Sequence, residues 1–157
     1  MADRIEALRR AVDALIQERE PDMQRYYYAH LYGVSHFCAL LATRRRLRAD
    51  IAVASGMLHD IHTLVTGDSA QHAAQGAPRA EALLRAVGGF AEEEIACIAQ
   101  AVSRHSAKAC VHAPCDEVLK DADVLHHALY NPTFAIKQDE QVRFARVMAE
   151  LGCPATL

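Results

Sequence analysis

The sequence lacks the features that define several large classes of protein. No stretch approaches the roughly 20 consecutive apolar residues that a membrane-spanning helix needs. Lysine and arginine number 17 against 20 aspartates and glutamates, and the net charge of -3 argues against a general binder of long nucleic acids. Internal repeats, low-complexity tracts and the alternating pattern of hairpin strands are also missing. We therefore expect a globular protein that binds neither a membrane nor long nucleic acid.

Cysteine pairs are missing as well. The five cysteines are scattered, and none of them forms the C-x-x-C motif that marks many zinc and redox sites. The N-terminal segment MADRIEALRR is charged from its third residue onward and does not resemble the apolar core of a signal peptide. We therefore expect a cytoplasmic protein in which the cysteines stay reduced and act as small core residues.

The residues that are abundant favour helices. Alanine, leucine, arginine and glutamate dominate the composition, whereas β-branched residues are sparse. Apolar residues recur at helical spacing in segments that end at proline, glycine or turn residues. Because 157 residues amount to about one domain, we predict a single all-α domain, residues 1–157, with about seven helices around one core. The predicted helices cover approximately residues 3–19, 21–43, 51–61, 70–87, 91–105, 116–129 and 140–151.

Nine histidines are many for a chain of this length, and several of them lie on or at the ends of apolar helices. An imidazole or carboxylate that is buried without a partner costs several kcal/mol, and a divalent cation can offset that cost by binding it. Mixed nitrogen and oxygen ligands suit manganese, iron, cobalt, nickel or zinc better than calcium. We therefore predict a transition-metal site among His30, His59, Asp60, His72, His105 and Asp123.

The adjacency of His59 and Asp60 has a specific chemical use. Successive residues of a helix point about 100° apart, so the imidazole can approach one ion while the carboxylate reaches toward a second. A carboxylate can bridge two ions because it has two oxygens, whereas an imidazole cannot. Two ions about 3.5–4 Å apart can hold both an attacking water and a phosphoryl oxygen. The pair is therefore compatible with a two-metal hydrolytic site.

Three ordered segments resemble the motifs of the HD-domain superfamily of metal-dependent phosphohydrolases. HLYGV begins with His30, MLHDI contains the pair His59-Asp60, and KDADVL contains Asp123. In that family the first histidine, the HD pair and a later aspartate hold one metal. The resemblance therefore implies that His30, His59, Asp60 and Asp123 share an ion.

Two further segments resemble the extra histidines of the dinuclear branches of this family. HAAQGA contains His72 and AVSRHS contains His105. The resemblance covers about residues 26–130, leaves the helix 3–19 outside, and is closest to small bacterial HD hydrolases with two divalent ions. Those branches include hydrolases of diadenosine tetraphosphate and cyclic-dinucleotide phosphodiesterases. The lysine that often follows the HD pair and the glycine-tyrosine-proline signature of the cyclic-dinucleotide enzymes are both missing.

Three more residues are candidates for contact with the reacting groups or the substrate. His62 could line the pocket and act as a general acid, or it could be solvated beyond the helix end. Lys108 could reach a substrate phosphate, or it could be an ordinary surface lysine. His127 shares a helix face with Asp123, where it could contact the substrate or be exposed. Asp60 itself could orient the nucleophile.

The expected function is hydrolysis of a phosphoester or phosphoanhydride in a small phosphorylated, nucleotide-like substrate by metal-activated water. Two alternatives stay open, namely a catalytically silent HD domain that senses a nucleotide or metal, and a dinuclear-iron oxygenase. His72 and His105 could also cap helices or contact phosphate. The helix 3–19 could pack on the domain or form a contact in a homodimer.

Overall fold

The computed structural model describes residues 3–155, and in this part of the chain all regular structure is helical. The predicted all-α class is therefore confirmed. No helix among the described residues combines the length and the apolar character that crossing a bilayer requires. The helices are α1 (Arg4–Gln17), α2 (Pro21–Arg44), α3 (Ala49–Leu58), α4 (Ile61–Thr66), α5 (His72–Val87), α6 (Glu92–Arg104), α7 (Pro114–Tyr130) and α8 (Gln141–Glu150).

Helix α3 lies at the centre of the fold. Seven of its ten residues are buried, and it packs against α1, α2, α6 and α7. Gly56 permits the close packing of α3 on α2, because a Cβ atom at this position would come within 2.7 Å of the backbone of Ser35. A helix that is apolar on every side is expected in the middle of a fold, and α3 lies there.

The long helix α2 contributes to two hydrophobic clusters. One cluster joins α2, through Leu31, to α1 and to α3–α6. The other joins α2, through Leu41, to α7 and to Phe144 of α8. Leu8 and Ile16 of α1 are fully buried in the first cluster, so the apolar face of the N-terminal helix is covered within the chain itself.

The chain changes direction at the pair His59-Asp60. The sequence predicts one helix over 51–61, but α3 ends at Leu58 and the short helix α4 begins at Ile61. Asp60 leaves helical geometry with φ -106° and ψ 20°. This break places the pair at a junction between two helices rather than along the side of one.

Candidate metal centre

The predicted ligands meet at one cavity of about 400 Å³. Five of the six line this cavity. His59 lies directly beside it, with its Nε2 atom 3.0 Å from Nε2 of His30. The ligands come from the middle of α2 and α7, from the α3–α4 junction, from the first turn of α5 and from the end of α6. The full set is His30, His59, Asp60, His72, His105 and Asp123.

One group of donor atoms forms around His30 and His59. Oδ2 of Asp60 lies 3.2 Å from Nε2 of His30 and 3.5 Å from Nε2 of His59. Oδ1 of Asp123 lies 3.8 Å and 3.7 Å from the same two nitrogens. Four side chains thus direct two nitrogens and two oxygens toward one point.

A second group forms around His72 and His105, whose Nε2 atoms lie 3.1 Å apart. Oδ1 of Asp60 lies 3.5 Å from Nε2 of His72 and 3.4 Å from Nε2 of His105. The two oxygens of this single carboxylate therefore face two different groups of imidazoles. This arrangement is the one that a carboxylate needs in order to bridge two ions.

Backbone carbonyls orient three of these imidazole rings. Nδ1 of His59 lies 2.8 Å from the carbonyl oxygen of Gly56, and Nδ1 of His72 lies 2.9 Å from that of Ser69. Nδ1 of His105 lies 2.7 Å from the carbonyl oxygen of Val102. A carbonyl oxygen can only accept a hydrogen bond, so Nδ1 carries the proton and Nε2 keeps a lone pair. Each of these rings therefore presents its metal-binding nitrogen to the cavity.

His126 takes the corresponding role for His30. Its Nδ1 atom lies 3.1 Å from Nδ1 of His30, on the side of the ring away from the other ligands. Gly33 makes room for His126, because a Cβ atom there would come within 2.2 Å of that ring. The orientation of His30 therefore depends on a second histidine rather than on the backbone.

Two features of the cluster fit a bound divalent cation. The lone pairs of His72 and His105 face each other at 3.1 Å, an approach that is favourable only around a shared positive charge. Oδ1 of Asp123 is buried and accepts no well-aligned hydrogen bond among the described residues, although Nε2 of His127 lies 3.2 Å away, and such a state is costly for a carboxylate oxygen. Several groups within this set could hold a metal ion, and their mixed nitrogen and oxygen donors suit a transition metal.

The protonation states agree with that chemistry. Burial lowers the pKa of His59 to about 4, so its imidazole is neutral near pH 7, which is the form that binds metals. Burial opposes ionisation of Asp60, but in acid the protonated His59 and a hydrogen bond from His105 outweigh it and lower the pKa of this carboxyl group. Burial likewise opposes ionisation of Asp123, and Lys108 together with the neighbouring imidazoles holds that pKa well below its usual range. Both aspartates are carboxylates at neutral pH.

Lys108 reaches into the cavity and contacts a predicted ligand. Its side chain is only 8% exposed, so it is not an ordinary surface lysine. Nζ lies 2.6 Å from Oδ2 of Asp123 and donates to the carbonyl oxygen of His105 at 2.7 Å. Lys108 thereby occupies Oδ2 and leaves Oδ1 facing the imidazoles. The phosphate contact expected for Lys108 stays a prediction, since its ammonium group already has two partners.

His127 lies between two carboxylates at the edge of the cavity. Its Nδ1 atom is 3.0 Å from Oε1 of Glu140, and its Nε2 atom is 3.2 Å from Oδ1 of Asp123. The ring stacks on that of His30, with 5.5 Å between centroids and 2° between planes. His127 therefore lies where a substrate contact is possible, and that role stays a prediction.

The catalytic role predicted for His62 stays a prediction, and the structure places its ring beside Arg79 and not in the cavity wall. Its Nδ1 atom accepts a hydrogen bond from Nε of Arg79 at 3.2 Å, and its side chain is not part of the cavity wall. The next residue, Thr63, lines the cavity instead. Because successive residues of α4 point about 100° apart, a helix that turns Thr63 toward the cavity turns His62 toward α5.

Other residues of the cavity carry little signal in the sequence. Glu140 is buried against His127 but lies far along the chain from every motif. Tyr26 stacks on His30 with 5.5 Å between ring centroids. No local spacing connects these residues with the ligands, because tertiary packing alone brings them together. The residues of the cavity wall that sequence reasoning did not select as site residues are Tyr26, Thr63, Ser69, Ser106, Lys137, Asp139 and Glu140.

The chain belongs to the HD domain family. The sequence model of this family, described as HD domain, matches residues 27–128, which is more than half of the chain and contains all six predicted ligands. The family indicates a superfamily of metal-dependent phosphohydrolases, some members of which are not catalytic. Comparisons with curated proteins and with solved structures gave no significant match. Helix α1 and the chain after residue 128 lie outside the matched region.

Proposed function

We propose that this protein is a metal-dependent phosphohydrolase that cleaves a phosphoester or phosphoanhydride bond of a small, nucleotide-like substrate. The position of Asp60 carries the proposal. Oδ2 faces His30 at 3.2 Å, whereas Oδ1 faces His105 at 3.4 Å. A carboxylate with a purely structural role would not require imidazoles near both of its oxygens. A carboxylate that bridges two cations would require them, because each cation needs further ligands beside its own oxygen.

The chain's own residues hold and orient the donor atoms. Two divalent ions, drawn from manganese, iron, cobalt, nickel and zinc, supply Lewis acidity and a water nucleophile at neutral pH when they are bound. His59, His72 and His105 keep Nε2 free for this purpose through their Nδ1 hydrogen bonds. Asp123 offers one oxygen because Lys108 occupies the other.

The charges around the cavity support a link between metal binding and phosphate binding. Four carboxylates and two lysines line the wall, so the cavity is net negative when its imidazoles are neutral. A phosphate is repelled by such a site unless divalent cations reverse the sign. The hydroxyl groups of Thr63, Ser69 and Ser106 also line the cavity and can donate to phosphoryl oxygens.

The size of the cavity supports a small substrate. Its volume of about 400 Å³ lies near the lower end of the roughly 300–1,000 Å³ that ligand sites occupy. The net charge of -3 also gives no general attraction for a long polyanion. A nucleotide or a similar phosphorylated molecule fits both properties.

The test combines metal analysis with an activity panel. Protein loaded with Mn²⁺, Fe²⁺ or Ni²⁺ is assayed on nucleoside phosphates, phosphodiesters and pyrophosphate. The variants His59→Ala and Asp60→Ala should lose at least about 100-fold in activity, since even residues that only orient metal ligands are worth about 10–100-fold. His36→Ala is the matched control, because His36 lies on α2 with His30 but is exposed.

The outcomes separate the alternatives. Asp60→Ala protein that keeps both its metal and its full activity contradicts the proposal. Metal binding without turnover of any phosphoester favours a sensor, and oxygen consumption by the iron-loaded protein identifies an oxygenase. Two equivalents of metal in the wild type, falling to one in His72→Ala, support the dinuclear site.

A further inference from the structure

A second, smaller cavity of about 200 Å³ adjoins the metal cavity. By itself it falls below the roughly 300 Å³ at which separate ligand sites begin. It shares part of its wall with the first cavity, so a molecule can extend from one into the other. The residues common to both walls are Tyr26, His30, His127, Lys137 and Glu140.

The chemistry changes from one cavity to the other. The part of the second wall that is not shared contains no aspartate, glutamate, lysine or arginine and consists largely of Ala128, Tyr130, Phe134 and Ile136. Tyr130 is 60% exposed and Phe134 is 65% exposed, so both rings offer apolar surface to solvent. Lys137 and Glu140 lie on the shared side. Charge is therefore concentrated toward the metal centre, and aromatic surface lies beyond it.

This aromatic wall belongs to the part of the chain that follows the family match. The match ends at residue 128, whereas Tyr130 ends α7 and Phe134 lies in the connection between α7 and α8. The ligands all lie within the matched region. The second cavity thus combines residues of the matched region, such as His126 and Ala128, with aromatic residues that follow it, and it lies where it can select among substrates that share the same reacting phosphate.

Resting on the proposed function, we infer that the preferred substrate carries a planar aromatic group, such as a nucleobase, attached to its phosphate, and that this group packs against Tyr130 and Phe134. The phosphate then lies among Asp60, His72 and His105 in the first cavity. The aromatic group extends past the residues that both cavities share and lies in the second cavity. A substrate ring that packs against these side chains removes their exposed aromatic surface from water. Aromatic stacking of this kind strengthens ligand affinity on the order of 10- to 100-fold.

The experiment measures binding rather than turnover. Mn²⁺-loaded protein is titrated calorimetrically with phenylphosphonate and with methylphosphonate, whose carbon–phosphorus bonds resist hydrolysis and which carry a phenyl ring and a methyl group, respectively, on phosphorus. The wild type should bind phenylphosphonate at least about 10-fold more tightly. Phe134→Ala and Tyr130→Ala should each reduce that preference several-fold and leave the affinity for methylphosphonate unchanged. Val142→Ala is the control, because Val142 is an exposed apolar residue outside both cavities.

Each result has a distinct meaning. Equal binding of the two phosphonates, together with phosphoester hydrolysis, overturns this inference and leaves the proposed function intact. If neither phosphonate binds and no phosphoester is hydrolysed, both fail. A concentration-dependent dimer that Phe134→Ala dissociates also overturns the inference, because the aromatic wall is then covered by a second copy of the chain. Circular dichroism verifies that the variants are folded.

Discussion

Two buried aspartates of α7, Asp121 and Asp123, lie two positions apart and have opposite surroundings. Asp121 accepts from Nη2 of Arg45 at 2.6 Å and from Nη1 of Arg143 at 2.7 Å. Asp123 has Lys108 on one oxygen, while its other oxygen faces imidazoles, with Nε2 of His127 at 3.2 Å, and accepts no well-aligned hydrogen bond among the described residues. One carboxylate is thus fully neutralised by the protein, and the other keeps an oxygen available.

The difference separates a structural charge from a candidate ligand. Arg143 also donates from Nη1 to Glu117 at 2.8 Å and from Nη2 to the carbonyl oxygen of Lys108 at 2.8 Å. The network around Asp121 therefore holds α8 and the loop that carries Lys108 against α7. It builds the framework on which Asp123 can present Oδ1 to the imidazoles.

The largest effect is expected when the structural aspartate is removed. Asp121→Ala removes the fully buried carboxylate that Arg45 and Arg143 share and leaves them only the partly exposed Glu150 and Glu117, which should cost about 3–5 kcal/mol. For a chain of this size the melting temperature should fall by roughly 6–20 °C, and added Mn²⁺ should not restore it. Thermal melts by circular dichroism measure the change, with the exposed Asp22→Ala as the control. A melting temperature of Asp121→Ala within about 2 °C of the wild-type value would mean that the side chains of Arg45 and Arg143 move into solvent when Asp121 is absent.

Removal of the candidate ligand should affect the chemistry more than the fold. Asp123→Asn keeps the shape of the side chain and an oxygen for Lys108, so it should unfold at a temperature closer to the wild type than Asp121→Ala does. Loss of a ligand charge should lower activity by at least about 100-fold, or about 2.7 kcal/mol. Melting curves, metal analysis and assays on the same samples test this contrast. Equal loss of stability in both variants removes the distinction between the two aspartates.

The sequence predicts the helices and the gathering of ligands for local reasons. His59, His72 and His105 stand at helix ends, where turn and cap residues mark the boundaries. A helix as apolar as α3 has to be central, so polar residues at its end are brought into the interior. These signals depend on spacing within a few turns of one helix and need no knowledge of tertiary contacts.

The partners of these residues could not be predicted in the same way. The break at Asp60 rotates α4 and turns His62 toward Arg79, a contact that depends on how α4 packs on α5. Glu140 and Phe134 come from the irregular connection before α8, which has no periodic pattern to read. Lys108 likewise contacts Asp123 only because of the path of the loop between α6 and α7. Contacts between distant segments have no signature in either segment alone.

A smaller effect is expected for Lys108, and it should depend on metal. Lys108→Met keeps the apolar stem but leaves Asp123 without its cation, so the metal-free protein should lose about 1–3 kcal/mol. Mn²⁺ should restore part of this loss, because a metal ion neutralises the same carboxylate. The stabilisation by Mn²⁺, measured as a shift in melting temperature, should therefore be larger in Lys108→Met than in the wild type.

Lys137→Met is the matched control for this prediction, since Lys137 lines the same cavity but is exposed. It should leave the metal-free melting temperature unchanged. If Lys108 serves only to bind substrate phosphate, Lys108→Met will instead raise KM and leave the stability of the metal-free protein as it is. The two readouts distinguish a partner of Asp123 from a substrate contact.

The smallest effect concerns the acid sensitivity of the structural network. Burial raises the pKa of Glu117, but Lys120 and Arg143 outweigh burial and lower it from 4.5 to about 2. A carboxyl group with a lowered pKa stabilises the fold above its unfolded-state pKa, and this contribution is lost as the pH falls from about 4.5 to about 2. With allowance for partial exposure to solvent, it amounts to about 1–2 kcal/mol.

Glu117→Gln should therefore be less stable than the wild type at pH 7, and the difference should shrink as the pH falls through that range. Urea unfolding of the metal-free proteins at intervals between pH 7 and pH 2.5 measures both curves, and the exposed Glu93→Gln serves as the control. A constant difference between Glu117→Gln and the wild type at every pH would show that the ion pairs of Glu117 contribute nothing to stability. In that event only the contacts between Asp121 and its arginines would stabilise this network. The structural charge to be compared with Asp123 would then be Asp121 alone, without Glu117.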